Sequence, residues 1–179
     1  MQPLPGARHH EGPDCVRTNG DQTKAESLIK LLNDALAREI ISLLRYWYQY
    51  FMSAGICARH RQAQFLGHVV EVQGHADQLA ERIVQLGGRP DVFPERLMSR
   101  TRAGYVKVDS VGRMFAGDLF AERIAIEHYR AMTVSLGVAD LTTQQIVEMI
   151  LAQEESHAES LVSLARDGTS ERDLRHRVA

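Results

Sequence analysis

The spacing of apolar residues divides the chain into four long segments. From about Thr23 to Ala54, Leu28, Leu32, Leu36, Leu43, Tyr46 and Tyr50 recur at steps of four and three, with Glu39 in the same register. That period belongs to a helix burying one stripe. A second stretch, about Ala58 to Leu86, carries Phe65, His68, Val72, His75, Leu79, Ile83 and Leu86, and stops at Gly87-Gly88 and Pro90. Residues 87 to about 110 lose the period around Pro90, Pro94 and Gly104, with room for one helical turn near Pro94 to Arg100. A connection of that length is too long for a tight hairpin and reads as a crossover. The third helix, about Val111 to Leu136, puts Phe115, Leu119, Glu122, Ile126, Tyr129 and Thr133 on one face and ends at Gly137. The fourth runs from Leu141 to about Arg166, with Asp140 or Thr142 as its cap.

No strand-like alternation of useful length occurs, so the pattern predicts an all-α four-helix bundle with one long crossover. Residues 1–21, with Pro3, Pro5, Gly6, Gly12, Pro13 and Gly20, read as a flexible tail; 22–167 form the bundle. Residues 168–179 are a tail or a short fifth helix with Ser170 as its cap.

Charged and polar residues interrupt the apolar stripes at particular places. Glu154 and His157 lie three apart on the fourth helix and leave the same face, between Val147 and Leu151 on one side and Ala158 and Leu161 on the other. A lone buried charge is very costly, so this pair needs a partner. The motif alone allows two: a metal ion in the bundle core, or a neighbouring carboxylate that satisfies a core histidine.

A repeat narrows the choice. Glu39 with Tyr46, and Glu122 with Tyr129, are each seven apart on the first and third helices. The second and fourth helices align on their histidines, Glu71-Val72-Gln73-Gly74-His75 against Gln153-Glu154-Glu155-Ser156-His157. Two helical hairpins of one design, related by a pseudo-twofold axis, would bring Glu39, His75, Glu122, Glu154 and His157 together. The repeat also exposes a gap, because Val72 stands where the second hairpin has Glu154. Glu71 is one residue away, about 100° round the helix from that slot, and is at best a poor substitute ligand. Carboxylates and imidazoles without thiolate suit iron or manganese and would also hold zinc. Tyr46 could donate a hydrogen bond to a ligand or give up an electron, while Tyr46 and Tyr129 as plain core aromatics is the other reading. Asp118, Glu127 and Glu155 fall off the main stripes and read as solvated, or as partners of the histidines.

Composition removes several classes. With a net charge of -2 over 179 residues the chain is no generic polyanion binder. Arg8, His9, His10 and Arg17 in the tail are offset by Glu11, Asp14 and Asp21, which gives DNA binding through that tail little support. Cys15 and Cys57 are too few and too distant for a zinc knuckle or disulfide framework. No secretory leader or membrane-spanning run is evident, so a cytoplasmic protein without a membrane partner is expected.

Three phrases, Gly-His-Ala-Asp-Gln-Leu-Ala-Glu-Arg-Ile (74–83), Ala-Glu-Arg-Ile-Ala-Ile-Glu-His-Tyr-Arg (121–130) and Glu-Glu-Ser-His-Ala-Glu (154–159), carry a family resemblance. Over about residues 23 to 166 the chain resembles the ferritin-like superfamily, in particular bacterioferritins and bacterioferritin-like Dps proteins. That superfamily builds its site from one Glu on each of two helices and Glu-x-x-His on each of the other two. The resemblance implies Glu39 as terminal ligand of one metal beside His75, Glu122 as terminal ligand of the other beside His157, and Glu154 as a bridge. The second bridge should stand at Val72. Tyr46 resembles the tyrosine beside the family's di-iron centre. The implied function is a ferroxidase that oxidises Fe(II) with O2 or H2O2 and stores or detoxifies iron in a homo-oligomeric cage of twelve or twenty-four subunits. Gln73 stands where the haem-binding methionine should be, which argues against haem. The alternative is a structural or DNA-protecting Dps-like shell whose metal centre is weakened or inactive. A di-metal oxidase acting on an organic substrate would need a channel, for which the sequence has no feature.

Overall fold

The computed structural model describes residues 19–52, 59–100, 111–137 and 140–177. Among the described residues five helices follow in order: α1 (Asn19–Met52), α2 (Arg59–Gln85), α3 (Pro94–Arg100), α4 (Val111–Leu136) and α5 (Leu141–Arg177). The four long ones form the expected bundle, with α1 packed mainly on α2 and α4 mainly on α5. The extra helix is α3, one short segment in the crossover. Beyond Thr169 the chain forms no separate unit: α5 continues as helix to Arg177. The expected N-terminal tail lies mostly outside the described residues, and its last residues already belong to α1.

The helix ends follow from local chemistry. Asp140 caps α5 by accepting from the Thr143 backbone N–H at 3.0 Å and the Thr143 hydroxyl at 2.5 Å. It also accepts from Arg82 Nη2, at 2.9 Å on each carboxylate oxygen, which ties the cap to α2. Burial opposes its ionisation, but these bonds outweigh that and hold the carboxyl below its ordinary value. At the end of α2, Gly87 takes φ 83° and the Gly88 N–H returns to the Ile83 carbonyl at 2.8 Å. A Cβ at Gly88 would meet Ile29 Cγ2 at 2.7 Å, so the turn also needs glycine for space.

The crossover is pinned to α1. The Asn33 side chain donates to the Arg89 carbonyl at 3.2 Å and accepts from the Asp91 N–H at 2.7 Å. Arg100 reaches Asp34 at 3.1 Å and Asp91 at 2.7 Å, and Leu97 buries against Ala37 and Ile41. The interior has two apolar ends. Leu32, Leu36, Leu79, Ile83, Tyr129, Met132, Val147 and Ile150 fill one; Tyr46, Phe65, Val72, Phe115 and Leu161 fill the other. In every long helix the polar stripe residues fall between these two ends.

Candidate metal centre

At that junction Glu39, His75, Glu122, Glu154 and His157 are 1%, 1%, 1%, 3% and 2% exposed. Buried acids in such number demand compensation, since each would otherwise be a desolvated charge. Glu39, His75 and Glu154 can bring one ligand atom each within 4.8 Å of one another, and so can Glu122, Glu154 and His157. Glu154 belongs to both triads, so the two half-sites share one carboxylate. The five residues predicted to converge do so.

The pseudo-twofold relation extends to the hydrogen bonds, and it crosses between hairpins. The Tyr129 hydroxyl on α4 donates to Glu39 Oε1 on α1 at 2.5 Å. The Tyr46 hydroxyl on α1 donates to Glu122 Oε1 on α4. Burial first, then the facing glutamates, push both tyrosine hydroxyls well above their ordinary value, so they stay protonated donors. The histidines are crossed in the same way. His75 Nε2 lies 2.5 Å from Gln153 Oε1, and His157 Nε2 lies 2.6 Å from Glu71 Oε2. Each partner sits four residues before the other histidine. An Nε2–H donated outward leaves Nδ1 as the ring atom facing the carboxylates, and His75 Nδ1 is 3.1 Å from Glu39 Oε2 and 3.3 Å from Glu154 Oε1.

Charge is unevenly distributed here. Burial, followed by the negative charges of Glu122 and Glu39, raises Glu154 well above its ordinary value, while Arg38 pulls the other way. A cation among these carboxylates would oppose the same burial and repulsion. Burial lowers the His75 imidazole, but the hydrogen bond and charge of Glu39, the Gln153 bond and the Glu71 charge together outweigh it and the net direction is upward. Arg38 itself is buried beside this acidic group.

The residues fit a cation by a test independent of motif. Among the described residues, Glu122 Oε2 and His157 Nδ1 are buried without a hydrogen-bond partner, Glu154 Oε1 standing 3.9 Å from that nitrogen. Buried polar atoms are almost always satisfied, so a carboxylate oxygen and an imidazole nitrogen left open in one triad match a ligand that takes lone pairs.

A ferritin-like domain model matches residues 29–169. The chain belongs to the ferritin-like family. Its relatives include the bacterioferritin of Streptomyces coelicolor, 30% identical over 143 residues that cover 75% of this chain and 77% of the relative. The Rhodobacter capsulatus bacterioferritin is 26% identical over 135 residues, covering 75% and 80%. Among solved structures, the dodecameric thioferritin of Bacteroides fragilis, a bacterioferritin-related protein, superposes with a TM-score of 0.77 at 28% identity, covering 83% of this chain and 90% of that one. Mycobacterium smegmatis Dps has the same fold, with a TM-score of 0.74 at 21% identity and coverage of 84% and 92%.

Glu71 and Asp118 stand elsewhere than the sequence suggested, while Val72 keeps its expected slot. Glu71 lies in neither triad; its carboxylate stands behind His157, on the nitrogen that faces outward. The slot three residues before His75 is filled by Val72, packed with Tyr46, Phe65, Phe115 and Leu161. Asp118, expected to be solvated or behind a histidine, is fully buried one turn before Glu122, where it accepts from Gln49 Nε2 at 2.7 Å with Arg45 3.9 Å away. Burial pushes its carboxyl up to about 7. The stripe on α4 runs through Asp118 and Met132, one position round from the predicted Leu119 and Thr133.

The sequence placed His68 on the buried stripe without a role at the site; its ring is 4.2 Å from His157 and 4.9 Å, edge-on, from Tyr46. Burial and His157 lower it to about 4, so it is neutral at pH 7. Its place seven before His75 was visible in the sequence, but that spacing marks core and site alike. Gln153 and Arg38 carried no signal of their own.

Proposed function

We propose that this protein binds Fe(II) at the two triads and oxidises it with O2 or H2O2, storing or detoxifying iron in a homo-oligomeric shell. The observation that carries the reading is Glu154 shared by two buried triads, one of which has two ligand atoms without partners. Bound Fe(II) supplies one electron per ion, so two ions reduce H2O2 to water or O2 to H2O2. The protein's own part is electrostatic and positional. Glu154 is the one carboxylate that both cations would share. Glu39 and Glu122 are aimed inward by the hydroxyls of Tyr129 and Tyr46, which fixes the angle of each carboxylate. Tyr46 and Tyr129 each touch a ligand directly, and Tyr46, on the Glu122 half, is the one we assign to give up an electron. Manganese or zinc would suit the same donors.

Assembly has its own support. Leu44, Trp47, Phe51 and Met52 on α1, with Leu66 and Val70 on α2, are 43–65% exposed and recur at helical spacing along each helix. An apolar surface of that kind is what an interface between subunits covers.

A second reading is favoured by one observation. Val72 sits in a packed apolar cluster where the resemblance asks for a bridging carboxylate, which fits a structural or DNA-protecting shell with a weakened centre. Anaerobic loading with Fe(II) followed by O2, in the wild type and in Glu154→Ala, separates the two. Ferroxidase action predicts ferric absorbance growing well above the protein-free rate, and its loss in the variant. Identical traces for both proteins and for buffer refute it.

A further inference from the structure

The two half-sites are equivalent in the tyrosine that supports each carboxylate, but not in the group behind each histidine. His157 Nε2 is backed by a carboxylate, Glu71 at 2.6 Å; His75 Nε2 is backed by a neutral amide, Gln153 at 2.5 Å. A carboxylate behind a ligating imidazole makes the ring more basic and locks its orientation, and loss of such a partner commonly weakens metal binding by about 10- to 100-fold. An amide locks orientation with little of the electrostatic gain.

A separate observation points the same way. In the His157 triad, Glu122 Oε2 and His157 Nδ1 make no hydrogen bond among the described residues, and Glu154 Oε1 stands 3.9 Å from that nitrogen, so the contact to give up is long. In the His75 triad, Nδ1 already contacts Glu39 Oε2 at 3.1 Å and Glu154 Oε1 at 3.3 Å, and a cation must break that arrangement.

We infer that the centre fills in a fixed order: the first divalent cation goes to Glu122, Glu154 and His157, with Glu71 as the positioning residue that sets its lead, and the second goes weakly to Glu39 and His75. This rests on the metal-binding part of the proposed function and is independent of whether iron is oxidised there. The half-exposed Glu71 side chain can be changed without opening the core, since it is 47% accessible.

The test is anaerobic Co(II) titration of the full-length protein, followed by calorimetry and by cobalt absorption bands, with anomalous diffraction at one equivalent of Co(II). Two unequal steps are expected, with the first ion on His157. Glu71→Gln should weaken the tight step about 10- to 100-fold and leave the weak one in place, while Gln153→Glu should tighten the weak step. A purely structural role for these side chains would not yield that gain. Equal steps, a first ion on His75, or a Glu71→Gln protein that keeps its tight step would overturn the ordering alone. A wild type that binds no Co(II) overturns both this and the metal reading. Cobalt bound in the stated order, with no iron oxidation, leaves the ordering intact and sinks only the ferroxidase.

Discussion

Val72→Glu places the missing carboxylate at the position equivalent to Glu154, and its consequence can be worked from both sides. Without metal, the change removes a side chain that is 1% exposed among Tyr46, Phe65, Phe115 and Leu161. Burial of such a valine contributes about 1.5–3 kcal/mol. The new acid joins Glu39, Glu122 and Glu154, and an added buried charge without a partner brings the expected loss to about 3–5 kcal/mol. For a domain of this size that is a fall of roughly 6–20 °C in Tm. With two divalent cations the sign reverses. Three carboxylates against two such ions leave the centre at +1 (−3 + 4), whereas four leave it neutral (−4 + 4). The second ion should then bind at least about tenfold more tightly, worth about 1.4 kcal/mol. Thermal denaturation in chelator and in excess anaerobic Co(II), together with calorimetric stoichiometry, measures both halves. The variant should melt lower in chelator, recover most of that loss with metal, and oxidise Fe(II) faster than the wild type. An equal Tm loss with and without metal, together with an unchanged weak step, would refute the claim that a bridge is missing at Val72.

Further outcomes follow from neighbouring residues. Tyr46→Phe should keep Co(II) binding within a few-fold but slow Fe(II) oxidation about tenfold or more in stopped-flow absorbance; Tyr129→Phe, its counterpart on Glu39, separates loss of carboxylate support from any special part of Tyr46. Asp118 is raised in the folded state from 3.8 to about 7, so the fold holds a proton there that the unfolded chain releases. Stability of the metal-free protein should therefore fall as pH rises from about 4 through 7, by up to about 4 kcal/mol at 1.36 kcal/mol per pKa unit. Asp118→Asn, which keeps an oxygen for Gln49, should flatten that slope in urea titrations across this range. Trp47→Glu should lower the assembled mass in light scattering without loss of helicity, because it puts a charge among the exposed apolar residues of α1.

The helices were legible because their stripes are long and their ends carry strong punctuation. Gly87-Gly88, Gly137 and Asp140 act where the sequence implied, and even the Pro94–Arg100 turn is where the broken period left room for it. The convergence of Glu39, His75, Glu122, Glu154 and His157 was legible for a different reason: equal spacing in two hairpins fixes a common level in the bundle. What stayed hidden depends on side-chain reach across helices. Glu71 and Gln153 occupy matching positions, yet nothing in linear spacing says that each bonds the other hairpin's histidine. Asp118 was missed because a one-position rotation of α4 exchanges Leu119 for Asp118 on the buried face, and an acid in that slot runs against the hydrophobic rule. The continuation of α5 past Gly168 was concealed by a glycine that reads as a helix end.

The pseudo-twofold relation also shows where the hairpins part company. Residues of α1 map onto α4, and residues of α2 onto α5, by the offsets that superpose Glu39 on Glu122 and His75 on His157. Under that mapping Gln49 answers to Met132, Asp118 to Ala35, and His68 to Ile150. The first of each pair is polar and the second apolar, and all six are buried. At these three pairs the polar member lies on one flank, where Asp118 Oδ2, Gln49 Oε1 and His68 Nδ1 have no partner among the described residues; on the other flank the buried Arg38 answers to Ala121 and leaves Nε and Nη1 without one. Each such atom costs about 1–3 kcal/mol when buried without water, so both flanks carry a polar cost, of opposite chemical kind: acid, amide and imidazole on one, a guanidinium on the other. Tyr46 donates to Glu122, whose other oxygen is open; Tyr129 donates to Glu39, whose other oxygen is already held by His75. An open carboxylate and the carboxylate-backed histidine thus fall on one half-site and the guanidinium beside the other, and it is this coincidence, more than the count of ligands, that makes the centre asymmetric.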